Sequence, residues 1–253
     1  MSEEVEPLIS VRDLVQKIGK QEILRGFSLD MFRGETLVLL GKSGGGKSVF
    51  LRHLIGLMKP VSGQILFEGE DIANLNERQL APVRRKIGML FQDGALFDSL
   101  SVYDNVAFPL RERGEKNEKL VRQKVHEALA LVNMSGHDKK MPVNLSGGMR
   151  KRVALARAII SPPQVILYDE PTAGLDPIVS DSINRLIRRL QQQLSVTSIV
   201  VTHDLTSCNR IADRVALLNE GRRHFYGTLD DLHATQDSIV RDFVDGHSED
   251  GED

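Results

Sequence analysis

A chain of 253 residues with one cysteine, Cys208, cannot close an intrachain disulfide, which fits a reducing compartment. The first residues, MSEEVEPLIS, lack the basic-then-apolar pattern of a signal peptide, so no leader is expected. Long apolar runs are missing as well. Stretches such as LVLL (37–40) and VILY (165–168) fall far short of the roughly 20 residues that span a bilayer. The expectation is a soluble chain whose membrane role, if any, comes through a partner. Charge of one sign is also lacking. Against 33 basic residues stand 35 acidic ones, a formal net charge of −2, which gives no general pull toward nucleic acid or an anionic membrane. No internal repeat is present. What remains is a chain with 41% hydrophobic residues, enough for a core, and a length suited to one large α/β domain or one with an inserted subdomain.

Short β-type runs recur between helical stretches. TLVLL (36–40), VILY (165–168) and SIVVT (198–202) are apolar with little alternation, as expected of strands covered on both faces. Residues 215–218 and 222–226 flank Asn219-Glu220-Gly221, a hairpin turn signal. Shorter candidates at 8–14, 27–31 and 65–67 suggest an antiparallel layer beside a parallel core. From about Val102 to Ile160 no strand pattern is evident. There Val121, Val125, Ala128, Leu129 and Val132 fall at helical spacing, as do Ile183, Leu186, Ile187 and Leu190 within 181–194. Both stripes read as core packing. The end of the chain, 247–253, is acidic and reads as disordered.

Two stretches carry chemistry. GKSGGGKS at 41–48 satisfies G-x-x-x-x-G-K-[ST] between a buried strand and an apolar helical segment. In such a loop Gly41, Lys42, Ser43, Gly44, Gly45 and Gly46 turn backbone N–H groups toward phosphate oxygens, and the helix N-terminus adds partial positive charge. Lys47 is expected to reach the β and γ phosphates and Ser48 to bind Mg²⁺. The bland alternative is a glycine-rich turn with a solvated lysine. Asp169-Glu170 closes the VILY run, and ligand sites of α/β sheets lie at such strand ends. Asp169 is then a Mg²⁺ partner and Glu170 the general base for an attacking water. A strand-ending charged pair is the alternative.

From about Pro7 to about Val240 the sequence resembles the nucleotide-binding subunits of ABC transporters. Residues 41–48 look like the Walker A loop, Gln92 like the Q-loop, Leu145-Ser146-Gly147-Gly148-Met149 like the LSGGQ signature, 165–170 like Walker B, Ala173-Gly174-Leu175-Asp176 like the D-loop and His203 like the switch histidine. Ser146-Gly147-Gly148 also reads physically as a second anion-binding helix terminus, or simply as a serine N-cap. The resemblance implies an α/β P-loop NTPase of the ABC-ATPase fold. That fold has a parallel core sheet, an antiparallel β subdomain and a helical subdomain at about 96–160 inserted in a RecA-like core. One ATPase domain is expected over 1–240, with an acidic, disordered tail over 241–253. ATP and Mg²⁺ are the implied cofactors. Two copies are implied to close head to tail, Ser146, Gly147, Gly148 and Asp176 of one acting on ATP held by the other. Gln92 is implied to sense Mg²⁺ and water and to signal to a membrane permease, and His203 to contact the γ-phosphate. A lone histidine after a strand is otherwise a structural residue.

Two positions depart from that pattern. The family's adenine-stacking aromatic would fall at about Ile18, and the signature ends in Met149 rather than Gln. The stretches 91–112, 145–159 and 168–178 look like ATPases of lipid-transport systems associated with MCE proteins, nearest to the Mla type. That likeness implies phospholipid trafficking across a Gram-negative envelope, work at the cytoplasmic face of the inner membrane, an MCE-domain substrate-binding protein, a STAS-domain regulator and no nucleic-acid partner. Gly94, Ala95, Leu96 and Phe97 would offer the permease an apolar surface, a core role for Leu96 and Phe97 being the alternative. Rival readings are an ABC ATPase for another solute such as an amino acid, a non-transport ABC ATPase and a nonhydrolytic scaffold. Against the last stand Glu170 and His203.

Overall fold

The computed structural model describes residues 6–246. Two compact units divide the chain, one built from residues up to Val83 and from Ile199 onward, the other from Arg84–Ser198.

The first unit opens with a hairpin, β1 (Ile9–Ile18) and β2 (Gln21–Met31), paired antiparallel from Ile9 opposite Met31 to Ile18 opposite Gln21. Then come β3 (Thr36–Leu40), α1 (Lys47–Leu54), β4 (Ser62–Phe67), the two-residue β5 (Glu70–Asp71) and α2 (Glu77–Arg85). Strands β2-β1-β4-β5 form one antiparallel sheet. Its inward residues, among them Val11, Leu14, Leu24, Phe27, Leu29 and Ile65, are fully buried. Phe27 meets Phe50 of α1 edge to face at 5.0 Å, so this sheet packs on the helix that follows the glycine loop. All five residues of β3 are buried, as the absence of alternation predicts.

The second unit holds β6 (Ile87–Leu90), α3 (Val102–Glu112), α4 (Glu118–Leu131), a single 3₁₀ turn (Pro142–Asn144), α5 (Gly147–Ile159), β7 (Val165–Asp169) and α6 (Pro177–Leu194). Strand β8 (Thr197–Thr202) follows, every residue buried. Strands β6 and β7 pair in parallel, Leu90 opposite Tyr168. Between residues 102 and 160 there is no strand. The stripe Val121, Val125, Ala128 and Leu129 is the buried face of α4, and Val132 just beyond it is buried too. Ile183, Leu186, Ile187 and Leu190 are the buried face of α6. Both helices start where the sequence supplies a cap: Asn117 accepts from the Leu120 N–H, and Asp176 accepts from Ile178 and Val179 ahead of Pro177 in the first turn.

The chain then returns to the first unit with α7 (Leu205–Ile211), β9 (Arg214–Asn219), β10 (Arg222–Gly227), α8 (Leu229–Ala234) and α9 (Ser238–Asp245). Strand β9 pairs in parallel with β3, Leu40 opposite Leu217, and antiparallel with β10 across Glu220-Gly221. Helix α9 runs through residue 241, where the sequence reading begins a disordered tail, so 241–245 are helical. Asp237 caps this short helix and Val240 buries against the unit. The stretch 247–253 lies outside the described residues.

Candidate active site

The glycine loop leaves β3 at Gly41. A side chain there would put its Cβ 2.7 Å from the Leu218 carbonyl of β9, so close strand packing requires glycine. At the far end Gly46 sits at φ 103°, and a Cβ would also lie 2.8 Å from a methyl of Ile23. Lys42, Ser43 and Gly44 are exposed. Lys47 is not: it is 4% exposed, and its Nζ donates to the carbonyls of Gly41 at 2.8 Å and Lys42 at 3.0 Å. The ammonium therefore sits inside the loop rather than in solvent. Helix α1 begins at Lys47 with no side-chain cap and no acid in its first turn. Its N-terminal dipole and N–H groups are thus not neutralised by a side chain of its own cap.

His203, in the same unit, is exposed on the turn between β8 and α7. That turn is fixed by Asp204, whose N–H donates to Thr202 Oγ1 at 3.0 Å and whose carboxylate accepts from Thr206 N–H at 2.9 Å and the Ser207 hydroxyl at 2.5 Å. Ile18 is 51% exposed at the β1–β2 turn.

In the second unit Asp169 is the last residue of β7 and Glu170 follows it, 6% and 8% exposed. Glu170 sits at φ 44°, left-handed backbone that a non-glycine residue adopts at a cost. Gln92 is exposed, two residues past Leu90 as Glu170 is two past Tyr168. Parallel register therefore brings the two to the same end of adjacent strands. The chain then turns through Gly174 (φ 73°) to Asp176, whose carboxylate caps α6.

Ser146 caps α5, its Oγ accepting from Met149 N–H at 3.3 Å. The N-cap reading is thus correct as structure, and the hydroxyl keeps a proton to donate. Gly147 and Gly148 face the D-loop side: added Cβ atoms would lie 3.0 Å from Leu175 and 2.5 Å from Val179. Phe97 is 43% exposed and pairs with the half-exposed Phe108 at 4.7 Å, so the surface reading holds for Phe97. Arg157 fastens that segment by donating to the carbonyls of Gly94 and Ala95.

One residue escaped the sequence reading. Lys151 of α5 is 5% exposed, and its ammonium donates to the backbone carbonyl of Gln92 and, at 3.3 Å, to that of Glu170. Burial pushes its pKa below the usual lysine value, opposed by the charges of Asp93, Asp169 and Glu170. A signal existed: Gly148, Lys151, Leu155 and Ile159 recur at helical spacing, which puts one lysine of the Arg150-Lys151-Arg152 run on the buried face.

A glycine loop wrapped around a buried lysine, opening an uncapped helix, defines a P-loop nucleotide-binding protein. Known proteins agree. Residues 24–173 match the ABC transporter family model, a span that holds the glycine loop, Gln92, the signature and Asp169-Glu170 and ends before Asp176 and His203. The intermembrane phospholipid transport system ATP-binding protein MlaF of Haemophilus influenzae is 43% identical over 96% of this chain and 92% of its own length. A probable ribonucleotide transport ATP-binding protein, mkl, of Mycobacterium leprae is 43% identical over 94% of this chain and 69% of its own length. Among solved structures, the dimeric post-hydrolysis state of the ATP-binding cassette MJ0796 bound to ADP and Pi superposes with a TM-score of 0.79, at 30% identity, over 87% of this chain and 98% of that one. The chain belongs to the ABC transporter family, as an ATPase with the family's P-loop fold.

Proposed function

We propose that this chain is the motor of an ABC transporter that moves phospholipid across or between the membranes of a Gram-negative envelope. Two copies close head to tail around two ATP molecules and drive an integral permease from the cytoplasmic face of the inner membrane. No helix among the described residues is long and apolar enough to cross a membrane. An MCE-domain protein and a STAS-domain regulator complete the assembly, and nucleic acid has no part in it. The phospholipid assignment is supported by the MlaF relative, matched over 92% of its length.

Lys47 holds the β and γ phosphates, with the backbone of 41–46 around them. Ser48, Asp169 and Gln92 serve Mg²⁺. Hydroxyl, carboxylate and amide oxygens are the hard donors this ion takes. No group of three or more His, Cys, Asp or Glu side chains that could hold a metal ion exists among the described residues. That donor chemistry suits an ion that relies on phosphate oxygens and water with one or two protein ligands. When bound, Mg²⁺ neutralises charge on the phosphate oxygens. Glu170 takes the proton of the attacking water, His203 orients it against the γ-phosphate, and Ser146, Gly147, Gly148 and Asp176 of the second copy close over the nucleotide. In-line attack follows, positioning and charge stabilisation supplying most of the rate.

The observation that carries this reading is Glu170: a nearly buried carboxylate, held on left-handed backbone at the end of a buried strand, level with Gln92. Glu170→Gln is expected to cut ATP turnover by about 10²–10⁴-fold while ATP still draws two copies together. Wild-type turnover in that variant would refute Glu170 as the base. Detergent pull-down of the same tagged variant tests the cargo. An attached permease with an MCE-domain protein supports phospholipid; a soluble amino-acid receptor would overturn it.

A further inference from the structure

Within the second unit one buried cation touches the backbone of two separate site residues. Lys151 lies on α5, five residues beyond the capping Ser146. Its ammonium donates to the Gln92 carbonyl beyond β6 and the Glu170 carbonyl beyond β7. Both acceptors of Lys151 are backbone carbonyls. What it holds is the direction of two peptide planes.

That matters most at Glu170. At φ 44° the residue occupies left-handed backbone, which a non-glycine residue keeps only where its surroundings impose it. The Glu170 carbonyl also accepts from Ala173 N–H at 3.2 Å. The peptide that follows Glu170 is therefore held from two sides, by the turn and by Lys151. Releasing one hold lets φ and ψ relax toward the extended region that Pro171 imposes on the residue before it, and the carboxylate swings with its Cα.

We propose that Lys151 is a positioning residue for hydrolysis: by anchoring the Glu170 and Gln92 carbonyls to the signature helix it fixes the aim of the Glu170 carboxylate. This rests on Glu170 being the general base.

The test compares Lys151→Met, Lys151→Arg and Glu170→Gln, each checked for a cooperative melt. Hydrogen bonds to buried charged groups contribute enough that Lys151→Met should lower kcat by about 10- to 100-fold. Its KM for ATP should stay within about twofold, because the lost contact orients the base and does not bind nucleotide. Lys151→Arg, which keeps the charge and several donors, should recover most of kcat. In the Glu170→Gln background, adding Lys151→Met should leave ATP-dependent dimer formation intact. Wild-type kcat in Lys151→Met, a parallel rise in KM, equal loss in Met and Arg variants that melt alike, or loss of the ATP-bound dimer would each overturn the proposal. Should Lys151→Met fail to fold, Lys151→Gln is read instead: reduced kcat at unchanged KM supports the role, and wild-type kcat refutes it. A fully active Glu170→Gln would instead sink the base assignment itself; an inactive Glu170→Gln beside a fully active Lys151→Met refutes the lysine role alone.

Discussion

Individual residues in the glycine loop have separate physical reasons. Gly41 is small because the Leu218 carbonyl lies where a Cβ would go, whereas Gly46 needs left-handed backbone as well. Only the pattern G-x-x-x-x-G-K-[ST] was legible in the sequence; the reasons depend on β9 and on Ile23, both remote in the chain. Lys47 was legible through the same pattern. Lys151 was not, because a buried lysine hides in a basic run until its helical phase is known. Cys208 offers a prediction at this scale. It is fully buried, and burial, with the nearby Asp204 charge, pushes its thiol up to about 12. The thiolate is the reactive form, so at neutral pH the native chain should resist alkylation and react only as α7 opens. Since it is the only cysteine, a thiol-reactive dye reads it directly. Labelling of the native chain as fast as that of the unfolded chain would contradict the described burial.

Elements were legible where one physical rule dominated. Strands covered on both faces, β3, β7 and β8, showed as unbroken apolar runs, and α4 and α6 as stripes. The hairpin β1–β2 runs to Ile18 and starts at Gln21, well beyond its apolar cores, because Lys17, Gln21 and Glu22 are exposed on it and carry no hydrophobic signal. Helix α9 was missed for the same reason, with only Val240 buried. Backbone pairing and caps, rather than hydrophobic pattern, carry such segments. The contact between the starts of α5 and α6 makes a prediction. A Cβ on Gly148 would lie 2.5 Å from Val179, a stiff β-branched side chain. Gly148→Ala should cost about 1–3 kcal/mol of stability. Val179→Ala in the same chain should recover much of that loss, a double-mutant cycle with non-additive energies. Strictly additive melting shifts would show that the two helices do not meet there.

For the whole molecule, the match of residues 24–173 to the ABC transporter family model identifies the machine, while the cargo is proposed from likeness to MlaF. The fuel was legible because phosphate binding needs a local loop. The central claim is that ATP is held by the glycine loop of one copy and capped by the signature of the other. Lys47→Ala disables the loop and Ser146→Arg obstructs the signature, so each variant alone should be inactive. A head-to-tail pair formed from one of each keeps one intact loop facing one intact signature. Measuring ATP hydrolysis in an equimolar mixture of the two tests the claim most directly: turnover that appears only on mixing is the predicted result, and a mixture as silent as its parts would contradict it.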